Sequence, residues 1–193
     1  MGSRPSPPVL VAIALPVLLA VVVAAIGITA RVRGVEVSGL SGAPTPAPVA
    51  ETGPLALVPI DAPDAGGASC AALLAALPDA LPAAGGTLAP RPLADPAPAG
   101  SRAWTALPRP VVLRCGLTRP AELTPTSALL EVDGVRWLQL DDGVPDPVVV
   151  SYVAVDRPVY VVLTAPPDAG SGPLQAVSDA VRATLPSREV QVR

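Results

Sequence analysis

The chain has 193 residues, enough for one ordinary domain; half of them are hydrophobic, mean hydropathy is +0.52 and formal net charge is −3. This composition excludes a disordered chain, and the lack of any basic run excludes a nucleic-acid-binding protein. Because the chain contains no His, Lys or Asn, it lacks the usual Ser-His, Cys-His and Ser-Lys pairs and any imidazole metal site. We therefore expect no enzyme, no cofactor and no bound metal.

The segment from Val9 to Ala30 is apolar and carries no charge over 22 residues. About 20 such residues span the hydrocarbon core of a bilayer, so this segment predicts a transmembrane helix or signal anchor. A cleaved signal peptide is the alternative, although its best cleavage site, Val23-Ala24-Ala25, lies inside the apolar run. Arginines flank the segment on both sides and leave its orientation open. We expect a single-pass protein of the plasma membrane, with residues 1–8 in the cytoplasm.

Residues 31–54 are rich in Pro, Gly, Ala, Ser and Thr, which is typical of a linker. An extracytoplasmic domain is predicted over residues 55–186, and a polar, loose tail over residues 187–193. The domain would begin with a short edge strand from Leu55 to Ile60, because Pro59 is not tolerated at the centre of a sheet.

A helix is predicted from Ser69 to Leu77, with Ser69 as its N-cap. Its apolar positions recur at helical spacing and form one face: Cys70, Leu73, Leu74 and Leu77. Residues 82–110 contain seven prolines, so we expect a long irregular loop there, which either wraps the surface or has a function.

From Val111 onwards the pattern is that of strands. The first strand is predicted from Val111 to Cys115. Residues 129–140 predict a hairpin, because Asp133-Gly134 favours a type I′ turn. That turn pairs Val132 with Val135, Glu131 with Arg136 and Leu130 with Trp137, which places Trp137 in the core.

Two more strands, Val148–Val155 and Val159–Leu163, are followed by a helix from Pro173 to Leu185. Pro173 is predicted at the first helical position, and the buried stripe consists of Leu174, Val177, Val181 and Leu185. Consecutive strands with short links indicate an α+β domain: a mainly antiparallel sheet of about five strands, with one helix before it and one after it.

The two cysteines, Cys70 and Cys115, are far apart in sequence. They are either buried free thiols of a cytosolic domain or one disulfide that joins the helix to the sheet. A Pro-rich linker after an anchor favours the disulfide, which would place the domain outside the cytoplasm.

Two stretches carry a resemblance to a known family. The first is Pro110–Leu117 (PVVLRCGL) with Arg119-Pro120, and the second is Tyr152–Val161 (YVAVDRPVYV). They resemble the core motifs of the domain-of-unknown-function family 3515 of high-GC Gram-positive bacteria, over roughly residues 70–186. One departure is Trp104, which is followed by Thr105 where the family often has Gly. The resemblance implies an N-terminal membrane segment and an extracytoplasmic domain, and it implies no activity.

Six polar side chains are candidates for contacts with a ligand or partner. Arg114 and Arg119 flank Cys115-Gly116 and could hold an anion, or could form internal ion pairs. Asp156 and Arg157 form either a recognition tip or a locally paired turn. Tyr152 and Tyr160 could share one sheet face and contact a ligand there.

Three functions compete on these observations. The first is a membrane-anchored, non-enzymatic accessory domain that binds another protein of the cell envelope. The second is a module that binds a small anionic ligand or cell-wall fragment through Arg114, Arg119 and the two tyrosines. The third, a carboxylate-based hydrolase, would need two facing acidic side chains, and no sequence feature selects them.

Overall fold

A computed structural model describes residues 52–141 and 143–192, which belong to one compact unit, Pro48–Arg193. The predicted anchor at residues 9–30 and nearly all of the predicted linker lie outside these residues. Within the described part of the chain, no helix is both long enough and apolar enough to cross a membrane.

The described residues form two α-helices and nine short strands. The helices are α1 (Ala68–Ala76) and α2 (Gly172–Thr184), and a 3₁₀ turn, Pro167–Ala169, precedes α2. The strands are β1 (Leu81–Ala83), β2 (Gly86–Leu88), β3 (Pro90–Arg91), β4 (Ser101–Trp104), β5 (Val111–Leu117), β6 (Leu129–Val132), β7 (Val135–Leu140), β8 (Val150–Ala154) and β9 (Tyr160–Ala165). The predicted α+β class, with mainly antiparallel strands, is confirmed, but the main sheet has seven strands rather than about five.

Seven of these strands form one antiparallel sheet in the order β3-β4-β5-β9-β8-β7-β6, and β1 and β2 form a separate hairpin. This strand order follows from the path of the chain. Strands β6 to β9 follow one another through short links, and β9 then pairs with β5 and so joins this meander to the earlier strands. The two edges of the main sheet are therefore β3 and β6.

The prediction of a long irregular loop over residues 82–110 is wrong. This stretch contains β2, β3, β4 and most of β1, and β4 pairs with β5 along its full length. Prolines are tolerated here because Pro82 lies in a two-stranded hairpin and Pro90 lies in the edge strand β3.

The predicted edge strand from Leu55 to Ile60 is also wrong. Only Leu55 makes a ladder contact, an isolated parallel bridge to Leu93. Its N–H donates to the carbonyl of Pro92 at 2.8 Å, and its carbonyl accepts from the N–H of Ala94 at 2.9 Å. This bridge places Leu55 alongside the residues that follow β3.

The β6–β7 hairpin forms in the predicted register, with Glu131 opposite Arg136 and Leu130 opposite Trp137. Both turn residues have positive φ, 50° at Asp133 and 74° at Gly134, as a type I′ turn requires. Trp137 is fully buried, and its indole N–H donates to the hydroxyl of Ser178 on α2 at 3.0 Å.

Both helices form, with small differences from the prediction. α1 begins at Ala68 with Gly67 as its N-cap, so Ser69 is not the cap, and no side chain bonds the N-terminus. α2 begins at Gly172, which places Pro173 at the second helical position rather than the first. The predicted stripe is buried as expected: Leu174, Val177, Val181 and Leu185.

The two faces of the main sheet are covered differently. On the helix-covered face, the apolar sides of α1 and α2 pack on β5, β7 and β9 around Leu113, Trp137 and Leu163. On the loop-covered face, a smaller cluster of Leu123, Leu138, Val153 and Val155 lies beneath irregular segments. Val190 of the predicted loose tail packs against that cluster, and the N–H of Arg188 donates to the carbonyl of Asp156 at 2.8 Å.

Cys70 and Cys115 form the predicted disulfide, with their Cα atoms 5.6 Å apart, and it joins α1 to β5. The chain is crowded at this point. Gly116 has φ +85°, and a Cβ atom there would overlap the backbone of Asp64 and Ala65. Only glycine fits a backbone with this dihedral and this close an approach, which explains why Gly follows Cys115.

Candidate functional site

Arg114 and Arg119 do not converge on a common anion site, because each binds a different irregular segment. A terminal N–H of Arg114 donates to the carbonyl of Val58 at 2.9 Å. Arg119 donates to the carbonyls of Gln191 at 3.1 Å and Leu123 at 3.3 Å. Burial lowers the pKa of the Arg114 guanidinium, which nonetheless stays charged at neutral pH. Both side chains therefore hold backbone in place.

Asp156 and Arg157 form a buried ion pair rather than an exposed tip. Arg157 Nη1 lies 3.0 Å from Asp156 Oδ2, and the two side chains are only 2% and 4% exposed. Arg157 Nη2 also donates to the carbonyl of Gly134 at 2.7 Å, which ties the β8–β9 connection to the turn of the β6–β7 hairpin. Neither side chain is accessible to a ligand from solvent.

Tyr152 and Tyr160 lie on opposite faces of the sheet, so the expectation that they share a face is wrong. Tyr152 pairs with Leu163 and Gln139 and points to the helix-covered face. Tyr160 packs against the cluster on the loop-covered face. Five residues of β8–β9 connection separate their strands, and the resulting register places them on different sides.

Tyr152 lines a cavity that no sequence feature predicts. This cavity, here called the β6 groove, has a volume of about 390 Å³ and lies between edge strand β6, strands β8 and β9, and the start of α2. Its walls include Leu130, Val132, Tyr152, Ala165, Ser171 and Leu174. None of the described residues that line it is charged.

The groove has an apolar wall with a polar rim. Leu130 is 44% exposed, which is unusual for a leucine in a strand of a packed sheet. The Tyr152 hydroxyl, the Ser171 hydroxyl and the Gln175 amide are the polar side-chain groups of the groove. Burial raises the pKa of the Tyr152 hydroxyl above its ordinary value of 10.0, so it is a neutral hydrogen-bond donor at physiological pH.

Sequence reasoning missed this groove because its lining comes from four elements that are distant in sequence. Leu130 and Tyr152 each fit the alternation of side chains along a strand. They are only partly covered because of where α2 lies on the sheet. The hairpin register pairs Leu130 with the buried Trp137, but it does not show that β6 has no neighbour on its other side.

The fold and groove define a small disulfide-bonded α+β domain with an apolar cavity at one open sheet edge. A family model described as "Protein of unknown function (DUF3515)" matches residues 11–190, and the chain belongs to that family. The chain matches no curated protein and no solved structure.

Proposed function

We propose that the chain is a membrane-anchored, extracytoplasmic domain of the cell envelope that binds another protein and catalyses no reaction. The observation that carries the binding function is the β6 groove, an uncharged cavity of about 390 Å³ beside an open strand edge. Apolar surface left exposed in this way on a small domain is typical of an interaction site.

The proposed location is supported by the disulfide. Cys70 and Cys115 are 0% and 1% exposed and bonded to each other, so they are neither a metal site nor a reactive thiol pair. Structural disulfides of this kind persist in oxidising compartments outside the cytoplasm. The uncharged segment from Val9 to Ala30 has the length of a membrane anchor.

Protease accessibility tests the orientation. Intact cells from which only the cell wall has been removed are treated with a protease, with and without a detergent that opens the membrane. We expect the domain to be degraded without detergent, while a cytoplasmic marker protein survives. Degradation only after detergent treatment would contradict the extracytoplasmic location.

Site-specific photo-crosslinking tests the binding function. A photoreactive amino acid replaces Leu130 in the groove or, as the control, Ala72 on the exposed side of α1. We expect one envelope protein to crosslink at position 130 and not at position 72, and to co-purify with wild type but not with Ser171→Phe, which fills the groove. Identical crosslinks at both positions, or none at position 130, would contradict binding at the groove.

A second candidate, a small anionic ligand, is favoured by one cavity. Arg119, Pro120, Leu123 and Thr124 help to line a space of about 220 Å³ on the loop-covered face. Calorimetric titration of the full chain with inorganic phosphate tests it, with Arg119→Gln as the comparison. Saturable binding that Arg119→Gln abolishes would support this candidate, and no heat of binding would rule out phosphate at this cavity.

A further inference from the structure

We infer that the partner contributes an extended, positively charged segment, which adds as an eighth strand beside β6 and places an apolar side chain in the β6 groove. This inference rests on the proposed function and deepens it by naming the chemistry of the partner.

The backbone of β6 offers free hydrogen-bonding groups at the edge of the sheet. Val132 flanks the two-residue turn, so its N–H and C=O point inward to β7, and those of Leu130 do the same. The groups of Leu129 and Glu131 alternate with them and point outward. The carbonyl of Arg136, opposite Glu131, accepts from the N–H of Val155 on the other side, which confirms this alternation. Within the described part of the chain, no residue pairs with the outward groups.

The opposite edge of the sheet does not offer such a template. β3 is only two residues long and begins with Pro90, which has no N–H. The bridge between Leu55 and Leu93 covers the chain just beyond it. Strand addition at the main sheet is therefore expected at β6 and not at β3.

The groove supplies the side-chain contact that strand addition needs for specificity. Leu130 and Val132 both line it, so they mark the side of β6 that faces the cavity. In an added strand, every second side chain points to that same side. One of these side chains would enter the groove between Leu130 and Leu174, and an aliphatic or aromatic group fits its uncharged lining.

The charges near β6 indicate which charge the partner segment should carry. Residues 52–192 contain nine arginines and fourteen aspartates and glutamates. Along β6, Glu131 is paired with Arg136 at 4.0 Å, and the exposed carboxylates Asp133 and Asp141 follow the last residues of β6 and β7 respectively. Asp133 interacts electrostatically with Arg182, which forms an ion pair with Asp179, and the Asp141 carboxylate accepts from the N–H of Gly143 at 3.0 Å. Carboxylates still outnumber arginines in this region. The surplus charge at the edge is negative, so the complementary segment is basic.

A peptide selection on the full chain in detergent micelles tests this inference. The probe is a phage library of random linear peptides of about twelve residues. We expect enriched peptides to combine Arg or Lys with alternating apolar residues, and their affinity to fall as salt is raised. A synthetic copy of the best peptide is then titrated against four variants.

Two variants each have a matched control. Glu131→Pro removes one outward N–H and leaves the β6–β7 hydrogen bonds intact, whereas Glu131→Gln keeps that N–H. Ser171→Phe fills the groove, whereas Ser171→Ala leaves it open; the Ser171 side chain makes no capping bond, so its loss does not weaken α2. We expect Glu131→Pro and Ser171→Phe each to weaken binding at least about tenfold, and each control to weaken it less than about threefold.

The outcomes separate this inference from the proposed function. Peptides that bind Glu131→Pro as tightly as wild type would overturn strand addition and leave an interaction domain. Enrichment of acidic peptides, or a dimer of the chain that Glu131→Pro dissociates, would overturn the basic partner. If no peptide is enriched but Leu130 still crosslinks to an envelope protein, the extended segment is wrong and the proposed function stands.

Discussion

The two faces of the main sheet are stabilised by different means. On the helix-covered face, two helices satisfy most of their own backbone groups and contribute apolar area: Leu73 and Val177 are completely buried. At the last turn of α1, where carbonyls lack an intrahelical partner, Arg102 donates to the carbonyls of Leu74 and Leu77. The loop-covered face has no helix above it, so its covering segments keep unpaired carbonyls that must be satisfied by other groups.

Arginine supplies many of those hydrogen bonds. Arg114 and Arg119 reach from the sheet side to the carbonyls of Val58, Leu123 and Gln191. A guanidinium carries five donors in a fixed planar arrangement, so one side chain can serve two carbonyls. On the loop-covered face, Arg114 and Arg119, which the sequence suggested as ligand contacts, attach irregular backbone to the sheet.

The largest effect is expected at the corner where the disulfide, β5 and the residue 62–65 turn meet. Gly116→Ala should lower the free energy of unfolding by about 4 kcal/mol, because the new Cβ overlaps the backbone of Asp64 and Ala65 at a positive φ. Gly134→Ala is the control, since it also has positive φ but its nearest neighbour is 3.7 Å away; about 1 kcal/mol is expected. Urea denaturation measures both, and equal losses would contradict the crowding.

The second prediction compares a Leu→Ala substitution on each of the two faces. Leu163→Ala on the helix-covered face should cost about 3–4 kcal/mol, because rigid helices cannot collapse into the cavity. Leu123→Ala on the loop-covered face, equally buried, should cost about 2 kcal/mol, because an irregular segment can relax. Equal losses in urea denaturation would show that the two faces are equally rigid.

The role of the arginines is tested by a smaller effect. Arg119→Ala should cost about 1–2 kcal/mol, because it leaves the carbonyls of Gln191 and Leu123 without this donor. Hydrogen exchange should show faster exchange in residues 186–192 than in wild type. The exposed Arg109 is the control, and Arg109→Ala should change stability by less than about 0.5 kcal/mol. Hydrogen exchange in residues 186–192 of Arg119→Ala that equals wild type would contradict the attachment of the tail through Arg119.

The smallest effect concerns pH and the β6 groove. Burial raises the pKa of Tyr152 in the folded chain above the ordinary value of 10.0 that applies when it is unfolded. Below pH 10 both states are neutral and the full stability is present; as pH rises towards the folded pKa, the unfolded state loses its proton first and stability falls. Thermal denaturation between pH 9 and 11 should show a shallower decline for Tyr152→Phe than for wild type. An equal decline of thermal stability with pH in Tyr152→Phe and wild type would contradict burial of the hydroxyl.

Local patterns predicted local structure well, and long-range contacts explain the failures. The Asp133-Gly134 turn and the stripe from Leu174 to Leu185 are short-range signals, and both were correct. Residues 82–110 were misjudged because short strands can accept prolines once a neighbouring strand or an edge position removes the need for an N–H.

The candidate site was the least predictable part. Asp156 and Arg157 look exposed in sequence because charged residues usually are, and only the covering tail and hairpin bury them. The β6 groove depends on how far α2 covers β6 and β8, which no local pattern reports. The disulfide was predictable because Cys70 and Cys115 are the only two cysteines.

One measurement tests the proposed membrane anchor and the disulfide most directly: the intact mass of the chain from native membranes, alkylated without prior reduction. We predict the full-length mass with no alkyl group on Cys70 or Cys115. A mass lower by that of about 25 residues would contradict the anchor and indicate a cleaved signal peptide. A chain with both cysteines alkylated would contradict the disulfide in the cell, and with it the extracytoplasmic location.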